Sequence, residues 1–83
     1  MVNGYDFKLR YSNGEDTFEY DLFQLNDNNQ ILPAGDATIN TLSEETHIKF
    51  LFEKPAPITR EKLANEMLKD AKDRKRVYYK FYS

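Results

Sequence analysis

The chain contains no cysteine, one histidine and three glycines among its 83 residues, and each shortage removes a class of chemistry. Without cysteine there is no disulfide framework, thiolate zinc site, iron–sulfur ligation or cysteine nucleophile. With His47 as the sole histidine, a two-histidine metal site cannot be built, and any acid–base pair would need a carboxylate or tyrosine brought in by folding. Gly4, Gly14 and Gly35 are too few and too scattered to write a dinucleotide fingerprint or a P-loop. No apolar run is long enough to cross a bilayer, and Met1-Val2-Asn3-Gly4 opens neither a basic region nor the apolar stretch of an export signal. A soluble, cytoplasmic protein is expected, with no membrane partner.

What the chain does have is aromatic and charged. Six Phe and six Tyr stand within a 40% hydrophobic fraction, enough apolar area to fold despite 31% charged residues. A chain of this length makes one domain, residues 1–83, and buries only roughly 60% of the surface it exposes when unfolded. A deep enclosed active site is therefore not expected. The lone His47 has no nucleophile with a recognisable local context, and Glu44-Glu45 reads as turn solvation before a strand. No catalytic, cofactor-binding or metal-binding residue is assigned, and the protein is expected not to be an enzyme.

Alternation places the first strands. From Gly4 to Tyr11, Tyr5, Phe7, Leu9 and Tyr11 share one face while Asp6, Lys8 and Arg10 share the other, and Thr17 to Leu25 forms a second such run. Asn13-Gly14 between them predicts a two-residue hairpin turn. That turn sets Leu9 opposite Phe18, Phe7 opposite Tyr20, Tyr5 opposite Leu22 and Lys8 opposite Glu19, with Asp6 against Asp21 as the discordant pair. Past Leu22 the apolar phase moves to Phe23 and Leu25, which suggests a bulge or the end of pairing.

Asn26-Asp27-Asn28-Asn29 is turn chemistry and lacks the spacing of a calcium loop. Pro33-Ala34-Gly35-Asp36 reads as a further break before a short strand over Ala37 to Leu42. Thr46 to Glu53 alternates with Thr46, Ile48, Phe50 and Phe52 on one side, and is expected to be a central strand. Lys54-Pro55-Ala56-Pro57 ends it. An amphipathic helix follows from about Arg60 to Arg74, with Thr59 as N-cap, Ile58 and Leu63 as hydrophobic staple, and Leu63, Met67 and Ala71 as buried stripe. Residues 77–82 fit either a closing strand, which their β-branched and aromatic character favours, or an extension of the helix. The fold class is α+β: an antiparallel sheet of three or four strands opened by an N-terminal hairpin and packed on one C-terminal helix.

Charge is divided along the chain. Residues 1–53 carry three basic and ten acidic side chains, whereas residues 54–83 carry nine basic and four acidic, within a net charge of −2. The division has three readings. A basic helix can lie across an acidic sheet and need no partner. An acidic hairpin surface of Asp6, Glu15, Asp16, Glu19 and Asp21 can face a basic protein partner, and Phe23, Leu51 and one of Tyr78 or Tyr79, exposed together, would form an apolar patch for a partner or a second copy. The basic aromatic end, Lys69 with Lys72, Arg74, Lys75, Arg76, Tyr78, Tyr79 and Lys80, can contact nucleic-acid phosphates and bases. The resulting expectation is a small non-enzymatic interaction module, a regulator or inhibitor from a bacterium or its phage, with nucleic-acid binding as the alternative.

Overall fold

The computed structural model describes residues 2–13 and 16–82, and for 78–82 the backbone alone. Four strands, β1 (Tyr5–Asn13), β2 (Thr17–Leu25), β3 (Ile31–Asn40) and β4 (Thr46–Phe50), form one antiparallel sheet in the order β1-β2-β3-β4. A single helix, α1 (Pro57–Tyr82), covers one face, giving the expected α+β architecture. The Cα extents of 44 × 23 × 16 Å leave room for these two layers and no third.

The core lies between the layers. Tyr5, Phe18, Tyr20, Leu22, Ala34, Ala37 and Ile39 from the sheet meet Leu63, Met67 and Ala71 from the helix, all buried. Ile48 and Phe50 of β4 pack at the margin, and Tyr5 meets Phe50 edge to face at a centroid distance of 6.2 Å. Alternation sends the remaining strand residues to the opposite face, which no element covers among the described residues.

The β1–β2 faces meet as expected, but in a register displaced by two residues. Phe7 lies opposite Leu22, Leu9 opposite Tyr20 and Lys8 opposite Asp21. A two-residue shift leaves each side chain up to Leu9 on the same face, so hydrophobic patterning cannot distinguish the two registers there. Charge can: the observed pairing gives Lys8 an acidic neighbour and moves Asp6 away from Asp21 to Phe23. An extra residue at Arg10, between paired Leu9 and Tyr11, bulges the edge strand and turns Tyr11, expected beside Leu9, to the open face opposite Glu19. Asn13 is a strand residue opposite Thr17 rather than part of a two-residue loop. Gly14, the other half of that expected turn, lies outside the described residues. The chain's other Asn-Gly pair does make such a turn. Asn3 and Gly4 have φ of 47° and 85°, and Val2 and Tyr5 exchange two backbone hydrogen bonds of 2.9 Å across them.

β3 continues through the predicted break. β4 stops alongside Gly35, so the first residues of β3 have a ladder partner on the β2 side only, and there the missing N–H of Pro33 is tolerated. Ala34 is the extra residue between the Pro33–Phe23 and Gly35–Leu22 pairs. The bulge therefore belongs to β3, and pairing of β2 continues to Leu25. The inner positions go to β2 and β3, so β4 is a five-residue edge strand instead of a central one, with Leu51, Phe52 and Glu53 beyond its end. The 26–30 turn is organised by Asn26, whose Oδ1 accepts from the backbone N–H of Asn28 and of Gln30 at 2.9 Å.

The helix begins earlier than expected, with Pro57 at the first helical position, where its fixed φ fits and its absent N–H leaves nothing unpaired. Ala56 supplies the carbonyl that accepts from Thr59 N and Arg60 N. Thr59 is thus a buried helical residue, not the N-cap, and its Oγ1 accepts from Asn3 Nδ2 at 2.9 Å. Ile58 is exposed, so it forms no staple. At the other end residues 77–82 are helical, which excludes the closing strand. Propagating an existing helix costs less than starting a new strand pairing, and that outweighs their mild β-preference.

Gly35 is required by the approach of β4. A Cβ at this position would overlap the backbone carbonyl of Lys49 and lie 3.2 Å from Phe50 Cα. Gly35→Ala should therefore destabilise the fold by about 2–3 kcal/mol, by forcing β4 away from β3. The midpoint of urea unfolding measures this; an unchanged midpoint would mean that β4 can shift without penalty.

Candidate interaction surfaces

The uncovered sheet face is ordered by the register into rows. Lys8, Asp21, Asp36 and Lys49 face one another across the four strands, so the middle of the face carries both signs. Arg10 Nε adds an ion pair to Asp21 Oδ1 at 3.5 Å. On the hairpin side runs the row Tyr11, Glu19, Thr38 and His47. The hydrogen bond of Tyr11 to Glu19, reinforced by the carboxylate charge, raises the tyrosine pKa above its ordinary value. His47 is exposed, with Nε2 3.5 Å from Glu45 Oε2.

Beyond the charged row the face turns apolar. Phe23 is flanked by Asp6 and Pro33, and Leu25 by Ile31. Leu51, whose N–H donates to Ala34 O at 2.9 Å, lies just past the end of β4. Ile31 is 70% and Leu51 55% exposed. A shallow cleft follows the β1–β2 part of this end, lined by Asp6, Phe7, Lys8, Phe23, Gln24, Leu25 and Ile31. Phe23, expected in an apolar partner surface, lies in this end of the open face, and Leu51, expected with it, is exposed just beyond β4. Leu25, Ile31 and Pro33 join Phe23 and were missed, because the supposed break at Pro33 concealed the strand that brings Ile31 beside Leu25.

The acidic residues expected to share that surface are dispersed. Asp6 borders the apolar end, and its Oδ1 accepts from Phe7 N at 2.8 Å. Glu19 and Asp21 lie in the polar rows, each beside a residue that uses its charge. Asp16 is turned to the helix, where its Oδ1 accepts from Lys75 Nζ at 2.6 Å, while its backbone carbonyl accepts from Thr41 N. Glu15 lies outside the described residues.

The basic end of α1 is engaged by carboxylates. Lys72 donates to Glu44, in the turn before β4, and Lys75 to Asp16, beside β2, so two bridges join helix to sheet. Within the helix Arg74 Nε donates to Asp70 Oδ2 at 2.7 Å and Arg76 pairs with Asp73. The side chains of Tyr78, Tyr79 and Lys80 lie outside the described residues. The shallow groove along this flank, lined by Asn65, Leu68, Lys69, Lys72, Asp73 and Arg76, mixes both signs.

One buried polar contact connects the layers. Tyr20 has no exposed surface, yet its hydroxyl donates to Asp70 Oδ2 at 2.6 Å, and the same oxygen accepts from Arg74. Burial, followed by the hydrogen bond to the Asp70 carboxylate and its charge, pushes the Tyr20 hydroxyl far above the ordinary tyrosine pKa. Asp70 likewise holds the Arg74 guanidinium more firmly protonated.

Comparison of the chain with protein-family models, with curated proteins and with solved structures returns no match. Among the described residues no helix is long and apolar enough to cross a membrane, and no three His, Cys, Asp or Glu side chains are grouped to hold a metal ion.

Tyr20→Phe should cost about 1.5–3 kcal/mol at pH 7, the range for a lost hydrogen bond to a charged group. The folded-state pKa of Tyr20 lies above the unfolded value of 10.0, so this contribution is complete below pH 10 and declines as pH rises beyond it. Urea unfolding of both proteins at pH 7 and pH 11 should show the gap narrowing at the higher pH. A constant gap would assign the loss to packing instead.

Proposed function

We propose that this protein is a small non-catalytic interaction module that docks a protein partner on the apolar end of its uncovered sheet face. The observation that carries the reading is the gathering of Phe23, Leu25 and Ile31 at one end of that face, with Ile31 70% exposed and Leu51 exposed where its backbone bonds to Ala34. Large apolar side chains grouped in water mark association surfaces, whereas scattered ones carry no such meaning.

The border favours a protein over a nucleic acid. A phosphate backbone laid on this face would meet Asp6, Asp21 and Asp36 as well as Lys8 and Lys49, whereas a protein segment with apolar side chains and charges of both signs can match the border row. The basic helix end offers phosphates a weaker site, since Lys72, Arg74, Lys75 and Arg76 each already face a carboxylate. A regulator or inhibitor acting by occupancy, without chemistry of its own, is the role this arrangement serves.

Cross-linking followed by mass spectrometry, in the cell that makes the protein, should map a partner onto Ile31 and Leu51. Ile31→Asp with Leu51→Asp should lower capture of that partner at least tenfold while leaving the circular dichroism spectrum unchanged, since both side chains already face water. Charge reversal at Lys72 and Arg76 should leave capture intact. Loss of capture on reversal alone, with duplex DNA binding that weakens steeply with salt, would replace this reading with nucleic-acid recognition.

A further inference from the structure

Both outer edges of the sheet, β1 and β4, lack a strand partner among the described residues, and the sequence of β1 is chemically symmetric. Backbone N–H and C=O groups of one residue point the same way, and the direction alternates along a strand. Gly4 O accepts from Leu25 N, whereas Tyr5 N and O both bond to Val2, so Tyr5 points to the outer edge, and Phe7 and Leu9 follow it. Those groups have only local partners: Tyr5 has Val2, and Phe7 N has the Asp6 carboxylate.

We infer that the β1 edge is a pairing surface for a second copy of this chain, guarded by the N-terminal turn. Two β1 edges meeting antiparallel about a two-fold axis must keep like faces together, so the axis passes through a residue rather than between two. Centred on Phe7, the pairing sets Tyr5 against Leu9 on the helix side and Asp6 against Lys8 on the open side, in both directions. Centring on Asp6 or Lys8 opposes like charges directly, and centring on Leu9 opposes Lys8 to Arg10. The charge pattern thus selects one register.

Val2 occupies the place that Leu9 of the second copy takes in that register, because it already holds the N–H and C=O of Tyr5. Asn3 and Gly4 fold it there through their positive φ, and Asn3 Nδ2 fastens the turn to Thr59 Oγ1. Ladder bonds across the two-fold replace the Val2 and Asp6 bonds almost one for one. The turn therefore decides whether the edge is closed or paired.

Asn3→Pro tests this in the full chain, because proline cannot adopt the positive φ of position 3. Sedimentation velocity over a concentration series should find the parent monomeric and Asn3→Pro reaching twice the mass. Adding Asp6→Lys should return it to monomer, and the exchange Asp6→Lys with Lys8→Asp should restore the dimer. Circular dichroism checks folding; if Asn3→Pro is unfolded, Gly4→Val, which strains the same turn, takes its place. A folded, monomeric turn variant overturns the inference, and so does a dimer indifferent to Asp6→Lys. Ile31→Asp with Leu51→Asp should leave this dimer intact, so the edge and the apolar face are tested separately.

Discussion

The structure depends on one row of helical side chains meeting one sheet face. Leu63, Met67 and Ala71 recur every fourth residue, are fully buried, and lie against the layer containing Tyr20, Leu22 and Ile39. Burying side chains of the size of Leu or Met contributes roughly 1.5–3 kcal/mol each, a large share of what a domain this small can gain. At Gly35 the absence of a side chain lets the backbone of β4 approach β3 closely. The same economy has a consequence on the other side. A chain with one helix can cover one face, so the second face must be soluble by its own side chains, and toward Ile31 it is not fully so.

Charge segregation along the chain is resolved within the fold. The acidic half contributes Asp16 and Glu44 at the sheet end that meets the later turns of the helix, and the basic half answers with Lys75 and Lys72. The exposed Lys72–Glu44 pair adds at most about 1 kcal/mol, and with the half-buried Lys75–Asp16 pair it serves to orient the helix on the sheet. Tyr20 does more. Its buried hydroxyl would remain unsatisfied in any helix placement that moved Asp70, so a shift of the helix carries a desolvation cost on top of lost packing. Nonspecific apolar burial sets how strongly the layers attract, and this one polar contact sets where they stop.

The fold was legible in the sequence where periodicity ran over several residues. β1, β2 and the helix each have such a run, and their inward faces are those the alternation indicates except at Tyr11, which the Arg10 bulge turns to the open face. The boundary signals at Asn13, Thr59 and Ile58 misled. The failures share one cause, which is that local signals do not report neighbours. Pro33 and Gly35 look like breakers in isolation, but Pro33 is tolerated because β4 ends beside Gly35, and Gly35 is needed because β4 begins its approach there. The register slipped by two because parity is all that an apolar pattern encodes; the Lys8–Asp21 pairing held the missing information. Thr59 resembled a cap by composition, and only the fold shows that its hydroxyl is taken by Asn3. Of the candidate surface, Phe23 and Leu51 were legible as misfits to the buried face. Their companions were not, since Leu25 and Ile31 become neighbours only through β3.

The two surfaces share Asp6 and Lys8 on β1, whereas Ile31 stands two strands away from the proposed axis, and this bears on how the molecule works. A two-fold axis perpendicular to the sheet at Phe7 keeps both open faces on the same side of the joined sheet. The rows containing Phe23 and Ile31 lie to one side of Phe7 along the strands, so the axis carries them to opposite ends of the pair. Two apolar docking surfaces then face one direction at a separation set by the strands, not by a flexible linker. A partner presenting two matching sites at that spacing would bind with a second step that is intramolecular, gaining affinity without a new contact, while a partner with one site would gain nothing. Edge pairing as proposed would therefore act on the valence of the face while setting a charge of the second copy beside its Asp6 and Lys8 border, with the turn at Asn3 and Gly4 controlling that valence.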